Sequence, residues 1–441
     1  MTATLIKLFN SKMEHLLPFG ADVPCLAVAV SGGSDSMALT LLAHDWCSDR
    51  NMRLIALTVD HNLRADSASE AAQVHSWLTR CGIEHHIVRR EGEVPRSGIQ
   101  QFARNARYGL LLEKCQSLKV SHLLLGHQLE DQLETLLMRL SKGSGLQGLT
   151  AMQVTVERDG INLLRPLLGT RRAELRAYLM NKGQVWVDDP SNVNPDFTRT
   201  HLGKSLASLS SLPGSDLSTI SLSHARLQRA DDALQQLSDE LLAAKAVIDP
   251  LGFVRLDGNF YDNVPDEVCI RMLVKALQLV RGSGIRIKLS DIENLYRTIR
   301  KQEPFQGMTL AGCQIGLFRG DFILCREAGR DGLPHVMLTT ADDSILWDNR
   351  FLVRDCGGGE ALDQGCPVEI KPLGSKGWRK LIESGVVAEL PDLPENVRKN
   401  IPALWNRDEL LSIPLISAES FVMGIAKGRF EMVFMPKLGL E

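Results

Sequence analysis

Two hydrophobic periodicities alternate over residues 24–140. Short apolar or β-branched runs, which are typical of strands, are followed by amphipathic stretches with a helical period. The runs lie at 24–30, 53–59, 84–88 and 122–125, and the amphipathic stretches lie at 36–46, 67–80, 99–116 and 128–140. Near-continuous apolar strands that alternate with helices predict an α/β fold, with a parallel sheet covered on both faces. Such sheets bind ligands at the carboxyl ends of their strands.

The pattern after residue 200 predicts two further domains. A Ser/Gly-rich stretch at 205–223 is typical of a domain boundary, and a long helical pattern follows it at 224–246. Mainly helical sequence continues to about residue 310, and short strands and helix follow. We therefore predict a catalytic α/β domain at 1–212, a mainly helical domain at 213–340 and a small α+β domain at 341–441.

Composition and charge agree with a multidomain globular protein. The 441 residues are enough for about three domains, and 44% hydrophobic with 23% charged residues argue against disorder. The nine cysteines include no C-x-x-C pair, which indicates reduced thiols. No run approaches the ~20 apolar residues of a membrane helix, so we expect a cytoplasmic protein without a membrane partner. The net charge of -3 argues against binding nucleic acid through bulk charge.

The strongest chemical signal lies between the first predicted strand and the first predicted helix. Two adjacent glycines let the backbone turn tightly there, and the helix start offers unpaired N–H groups and a positive dipole end. Serine hydroxyls add donors for phosphate oxygens, so the segment predicts an anion cradle. The segment consists of Ser31, Gly32, Gly33, Ser34, Asp35 and Ser36.

Asp35 adds a negative charge to this predicted anion cradle. A carboxylate beside bound phosphates is explained if it binds a Mg²⁺ ion that bridges them, which indicates a magnesium–nucleotide complex. The alternative is an ordinary strand-to-helix turn in which Asp35 and the serines cap the helix.

The hexapeptide resembles the SGGxDS signature of the PP-loop ATP pyrophosphatase family, whose members split ATP between the α and β phosphates and adenylate a carbonyl oxygen. Further motifs at 59–64, 98–108, 126–135 and 189–199 are similar, in order and spacing, to the tRNA(Ile)-lysidine synthetase (synthase) family. The resemblance covers roughly residues 25–205. It implies a ligase that uses ATP and Mg²⁺ to join L-lysine to the wobble cytidine of the CAU anticodon of tRNA(Ile).

The resemblance also implies roles for single residues. Asp131 and Glu134 are three positions apart and share one helix face, where paired carboxylates would hold the lysine ammonium group. A solvated acidic face is the alternative. The histidines implied in nucleotide contact could instead be structural, and the arginines implied in phosphate or RNA contact could instead be surface residues. These residues are His61, His127, Arg104, Arg107 and Arg199, of which Arg199 joins Asp35, Asp131 and Glu134 as a candidate catalytic residue.

The sequence departs from the family pattern at several positions. Glu130 stands where a second Asp is usual, Gln128 where His is frequent, and Gln100 where Glu is usual. The usual Arg-Asn-Arg run reads Arg-Thr-His at 199–201, which puts the contacts of its last two residues in doubt.

The C-terminal segments resemble the tRNA-binding domain of longer lysidine synthetases. Lys376, Arg379 and Lys380 beside Trp378 form a basic–aromatic patch that suits RNA contact, although a buried Trp flanked by solvated charges fits equally well. A homodimer is among the assemblies left open. The rival functions are a PP-loop tRNA thiolase, which would need cysteines at defined spacing, and a non-catalytic nucleotide-binding RNA adaptor.

Overall fold

The computed structural model describes residues 2–17, 23–60, 67–90, 99–187, 198–282, 287–301, 304–329, 332–338, 344–356, 368–383, 392–416 and 430–435. They form two compact units, divided between Asp231 and Asp232. No helix in the described ranges has the length and apolar character to cross a membrane. The division falls within helix α9 (Leu217–Lys245). The elements before α9 are α1 (Thr2–Leu16), β1 (Cys25–Ala29), α2 (Ser34–Ser48), β2 (Arg53–Asp60), α3 (Ser67–Arg80), β3 (Glu84–Arg89), α4 (Ile99–Ser117), β4 (His122–Leu124), α5 (Leu129–Leu140), α6 (Leu146–Leu149), β5 (Thr155–Arg158), β6 (Ile161–Leu164), α7 (Arg172–Lys182) and α8 (Thr198–Ser210).

The described strands of the first unit form a six-stranded sheet in the order β3-β2-β1-β4-β6-β5. Every neighbouring pair is parallel except β5 and β6, which are antiparallel. The predicted parallel sheet is therefore confirmed. The helix predicted at 67–80 is observed at those residues, and the other predicted elements of residues 24–140 are observed with small shifts at their ends.

Side chains from successive strand positions cover opposite faces of this sheet. Leu26 and Val28 of β1 are buried in a cluster with α1, α2, α3 and α7, whereas Ala27 and Ile55 are buried against α4 on the other face. This period of two is what a strand imposes on its side chains. Side chains on both faces are buried, so truncating a fully buried leucine such as Leu26 to alanine should cost about 2–5 kcal/mol of stability.

The chain reverses direction across the sheet at β1. From β1 it continues through α2 to β2 on one side, and it later returns through α4 to β4 on the other side. We therefore expect a ligand-binding crevice at the carboxyl ends of β1 and β4, since the strand order reverses between them. This is where open α/β sheets place their ligands.

The second unit is built from helices and antiparallel sheets. Its described strands form sheets in the orders β7-β8-β11-β10-β9, β12-β15-β16-β17 and β13-β14-β18, and α10 and α11 pack on the first of them. The α+β character predicted for the C-terminal part is confirmed. Its elements are β7 (Ala246–Asp249), β8 (Phe253–Leu256), α10 (Asp266–Arg281), α11 (Leu289–Arg300), β9 (Met308–Leu310), β10 (Cys313–Phe318), β11 (Asp321–Arg326), β12 (Val336–Met337), β13 (Ser344–Trp347), β14 (Phe351–Asp355), β15 (Glu369–Pro372), α12 (Gly374–Glu383), α13 (Glu395–Asn400), β16 (Pro402–Asn406), β17 (Glu409–Ser412) and β18 (Phe430–Phe434).

The Ser/Gly-rich stretch at 205–223 contains the end of α8 and the start of α9, and the two compact units divide later, within α9. The domain boundaries at 212/213 and 340/341 stay predictions.

Candidate active site

The loop after β1 has the backbone geometry of an anion cradle. Gly32 has φ +85°, and a Cβ atom there would lie 2.8 Å from Cγ2 of Val74, so glycine is required for both reasons. The N-cap of α2 is Gly33, which has no side chain to cap the helix. The first N–H groups of α2 are therefore available to an anion at the positive end of the helix dipole.

The serines of this loop largely bond to the loop itself. Ser36 Oγ accepts the N–H of Ser31 at 3.2 Å and donates to the carbonyl of Gly33 at 3.0 Å, and Ser34 Oγ donates to Asp35 Oδ1 at 3.1 Å. Ser36 is buried, whereas Ser31 is exposed. Ser36 thus fixes the shape of the loop, and main-chain N–H groups are the donors best placed for phosphate. Contact of the three hydroxyls with phosphate stays a prediction.

The loop after β4 packs directly on the start of α2. A Cβ atom on Gly126 would lie 3.1 Å from both N and Cα of Ser36, so only glycine lets the two backbones approach this closely. His127 follows at the same edge of the sheet and is half-buried. Its nucleotide contact stays a prediction, and His61 lies outside the described residues.

The start of α5 combines a helix cap with the predicted acidic pair. Asp131 Oδ2 accepts the N–H of the N-cap residue Gln128 at 3.2 Å, and the Gln128 side chain accepts the N–H of Glu130. The reciprocal bonds form a capping box. Asp131 therefore has a structural role that its spacing from Glu134 did not reveal.

Asp131 and Glu134 are both buried, at 6% and 9% relative exposure. This excludes the alternative of a solvated acidic face. Glu134 faces α8, because its Oε1 lies 3.6 Å from the position that a Cβ atom on Gly203 would occupy. Two carboxylates on one helix face are chemically suited to the positive charge of an ammonium group. Binding of lysine there stays a prediction.

Sequence reasoning missed Arg172, the first residue of α7. Its Nε lies 3.5 Å from Asp35 Oδ2 and its Nη2 lies 3.6 Å from Asp131 Oδ1. Its backbone N–H donates to both carboxylate oxygens of Glu130, at 3.2 and 3.1 Å. One residue therefore connects the loop after β1 with the start of α5.

A weak signal for Arg172 was present in the sequence. Arg171 and Arg172 open a helix, where positive charge opposes the helix dipole. An unfavourable charge at such a position indicates a role other than helix stability.

Asp35 is half-buried among charges of both signs. Burial raises the pKa of the Asp35 carboxyl above its ordinary value, and Asp131 and Glu130 act in the same direction, while Arg172 and the Ser34 hydroxyl oppose them. A second cation would therefore be stabilised at Asp35. Mg²⁺ commonly uses only one or two protein carboxylates together with substrate phosphates, so this single carboxylate beside an anion cradle fits a Mg²⁺–nucleotide complex.

Comparison with known proteins identifies the family of the chain. The sequence profile of the PP-loop domain matches residues 5–209. The tRNA(Ile)-lysidine synthase of Bradyrhizobium diazoefficiens is 38% identical over 320 residues, which cover 67% of this chain and 88% of that protein. The tRNA(Ile)-lysidine synthase of Ruegeria pomeroyi is 33% identical over 413 residues, or 91% of this chain and 92% of that protein. The chain belongs to the tRNA(Ile)-lysidine synthase family. The family resemblance read from the sequence is confirmed.

The structure describes the three arginines predicted from the sequence less completely than the acidic residues. Arg104 and Arg107 are exposed on α4, and the Arg104 guanidinium lies 5.3 Å from the ring centroid of Tyr108. Arg199 lies in α8, but its side chain, like the whole of segment 188–197, lies outside the described residues. The roles of all three arginines stay predictions.

The positive charge of the basic–aromatic patch at 376–380 is partly neutralised by Asp408. Lys376 Nζ lies 2.6 Å from Asp408 Oδ1, and Lys380 Nζ donates to the Asp408 carbonyl at 2.8 Å. Trp378 is half-buried, with the Arg398 guanidinium 4.8 Å from its ring centroid. The described contacts therefore favour a packed tryptophan flanked by paired charges.

Substitution of Gly126 by alanine tests the contact between the two loops. The new Cβ would press on the backbone of Ser36, so α2 must shift away from the loop after β4. We expect the KM for ATP to rise about tenfold, since a shift of this kind misplaces the N–H groups that hold phosphate. Gly109→Ala is the matched control, because a Cβ on Gly109 meets nothing within 4 Å. An unchanged KM for ATP in Gly126→Ala would show that the two loops do not act as one unit.

Proposed function

We propose that this chain is an ATP-dependent ligase that joins L-lysine to the wobble cytidine of the CAU anticodon of tRNA(Ile). The reaction passes through an adenylated cytidine, releases pyrophosphate and AMP, and converts both codon and amino-acid identity from Met to Ile. The observation that carries the proposal is the convergence of Asp35, from the PP-loop, and the buried Asp131, from α5, on the Arg172 guanidinium. Support comes from relatives named tRNA(Ile)-lysidine synthase that match most of the chain.

The first step activates the cytidine. Its ring carbonyl oxygen attacks the α-phosphorus of ATP and the bond to pyrophosphate breaks. The N–H groups at the start of α2 hold the phosphates in line for this displacement. A Mg²⁺ ion held by Asp35 would neutralise the charge that develops on the leaving pyrophosphate. The base must leave its stack to reach the crevice, which a single-stranded anticodon loop allows.

The second step forms the carbon–nitrogen bond. The ε-amine of lysine attacks the ring carbon of the adenylated cytidine, loses a proton, and AMP departs with the former carbonyl oxygen. Asp131 and Glu134 position the incoming ammonium group, and one of these carboxylates accepts the proton that must leave before attack. Their burial strengthens both interactions by excluding water.

Four buried cysteines of the described residues are poorly suited to the thiolase alternative. Burial raises the pKa of Cys47, Cys313 and Cys325 to about 12. It also raises the pKa of Cys115, to about 11. These thiols are protonated at neutral pH, and a protonated thiol is a poor nucleophile or metal ligand. The ligase is therefore the better candidate.

One assay separates the three functions. The protein is incubated with total tRNA, ATP, Mg²⁺ and radiolabelled L-lysine, and both lysine incorporation and pyrophosphate release are measured. The ligase gives both signals, with incorporation confined to tRNA(Ile). A thiolase would release pyrophosphate without incorporating lysine and would need a sulfur donor. An RNA adaptor would give neither signal, and either of these results would refute the proposal.

The proposal also assigns the substrates, the cellular compartment and the tRNA-binding part of the chain. L-Lysine and tRNA(Ile) are the expected substrates, and the cytoplasm is the expected compartment. The C-terminal part, 341–441, is assigned to tRNA binding, and the homodimer stays an open prediction. Light scattering of the purified protein would give its mass in solution.

A further inference from the structure

Arg172 lies between two carboxylates that the proposed reaction assigns to different cations. Asp35 would meet Mg²⁺ and Asp131 would meet the lysine ammonium, and both now face the Arg172 guanidinium at 3.5 and 3.6 Å. These two acids lie in the first turns of α2 and α5, which follow different strands. The single charge of Arg172 thus partly neutralises both binding positions at once.

The geometry is that of a loose ion pair. Both distances exceed the 2.7–3.2 Å of a direct N–H···O hydrogen bond, and Arg172 gives neither acid a bidentate fork. The Arg172 side chain is 38% exposed, whereas that of Asp131 is 7% exposed. The backbone of Arg172 is held firmly by Glu130, so the side chain can leave the carboxylates without disturbing the start of α7.

From this geometry we infer that Arg172 is a stand-in cation, a positioning residue that neutralises Asp35 and Asp131 until the cationic ligands displace it. The inference rests on the proposed function, since it takes lysine as the ligand of Asp131. The Asp35 and Asp131 carboxylates carry like charges, and the Arg172 guanidinium at 3.5 and 3.6 Å reduces the repulsion between them. A guanidinium with five donors can pair with both and still be replaced by an ammonium group that fits more closely.

Calorimetric titration of L-lysine into the full-length protein without nucleotide tests this inference. A stand-in cation competes with the ligand, so Arg172→Gln should bind lysine more tightly than the wild type, by about two- to fivefold for the loss of one partly exposed ion-pair competitor. Arg172→Lys keeps the charge and should stay near the wild-type affinity. L-Norleucine, which lacks the ammonium group, should show no such dependence on residue 172.

Arg171→Gln is the matched control, because Arg171 opens the same helix but pairs with Ser218 and Asp216. Its lysine affinity should equal that of the wild type. Weaker lysine binding in Arg172→Gln would show that Arg172 contacts lysine directly, and equal affinity would show a purely structural role; either result overturns the inference. If the wild type itself binds no lysine, with or without Mg²⁺ and a non-hydrolysable ATP analogue, the proposed function fails instead.

Discussion

Replacement of Asp35 by asparagine is expected to abolish ligation while the protein stays folded. Asparagine preserves the shape of the loop but removes the charge that would hold Mg²⁺ against the phosphates. Loss of one preorganised electrostatic contact in such a site lowers the rate by about 100- to 1,000-fold. The measurement is pyrophosphate release per tRNA in the presence of ATP and Mg²⁺. A variant that turns over ATP at the wild-type rate would exclude Asp35 as the metal-binding residue.

The same substitution should not lower stability. The pKa of Asp35 in the folded protein lies above its ordinary value of 3.8, chiefly because of burial. A raised carboxyl pKa means that the folded state holds its proton more tightly than the unfolded state, so ionisation of Asp35 destabilises the fold. This penalty develops as the pH rises from the ordinary value through the raised one. We therefore expect Asp35→Asn to have a Tm at pH 7 equal to or above that of the wild type.

Glu134→Gln is expected to impair lysine use selectively. Glutamine fits the space against α8 but offers no charge to an ammonium group, so the KM for lysine should rise about 10- to 100-fold, the worth of a charged hydrogen bond. Pyrophosphate release in the absence of lysine should continue, because Glu134 does not touch the loop after β1 in the proposed mechanism. Glu134 is the better test than Asp131, whose carboxylate also caps α5.

Glu157→Gln is a suitable control for this result, since Glu157 is an exposed acid on β5. It should leave the KM for lysine unchanged. If Glu134→Gln lowered pyrophosphate release and lysine incorporation equally, Glu134 would serve the first step or the fold instead of lysine binding.

Local sequence was sufficient to predict the part of the site that is local in the chain. The loop at 31–36 depends on the strand before it, the helix after it and two glycines, all within about fifteen residues. Likewise the capping residues of α5 and the acidic pair follow directly on β4. Such features depend on backbone preferences and helix spacing, which a single sequence displays.

The rest of the site depends on pairing across the sheet. Arg172 reaches Asp35 only because β6 pairs with β4 and β4 with β1, which places the start of α7 beside the loop after β1. No periodicity in the sequence specifies that strand order. For the same reason the burial of Glu134 could not be predicted, since it depends on the packing of α8 against α5.

Three helix starts meet at this crevice: Asp35 lies in the first turn of α2, Asp131 in that of α5, and Arg172 begins α7. Each helix start carries a partial positive charge, and the nearby carboxylates partly neutralise that charge. A cationic ligand that pairs with one of these carboxylates would weaken its interaction with the helix start, which could then bind a polyphosphate more strongly. The bound phosphate would in turn attract the cation. We therefore expect the binding of nucleotide and the binding of lysine to strengthen each other. By linkage, the factor by which one changes the dissociation constant of the other is the same in both directions.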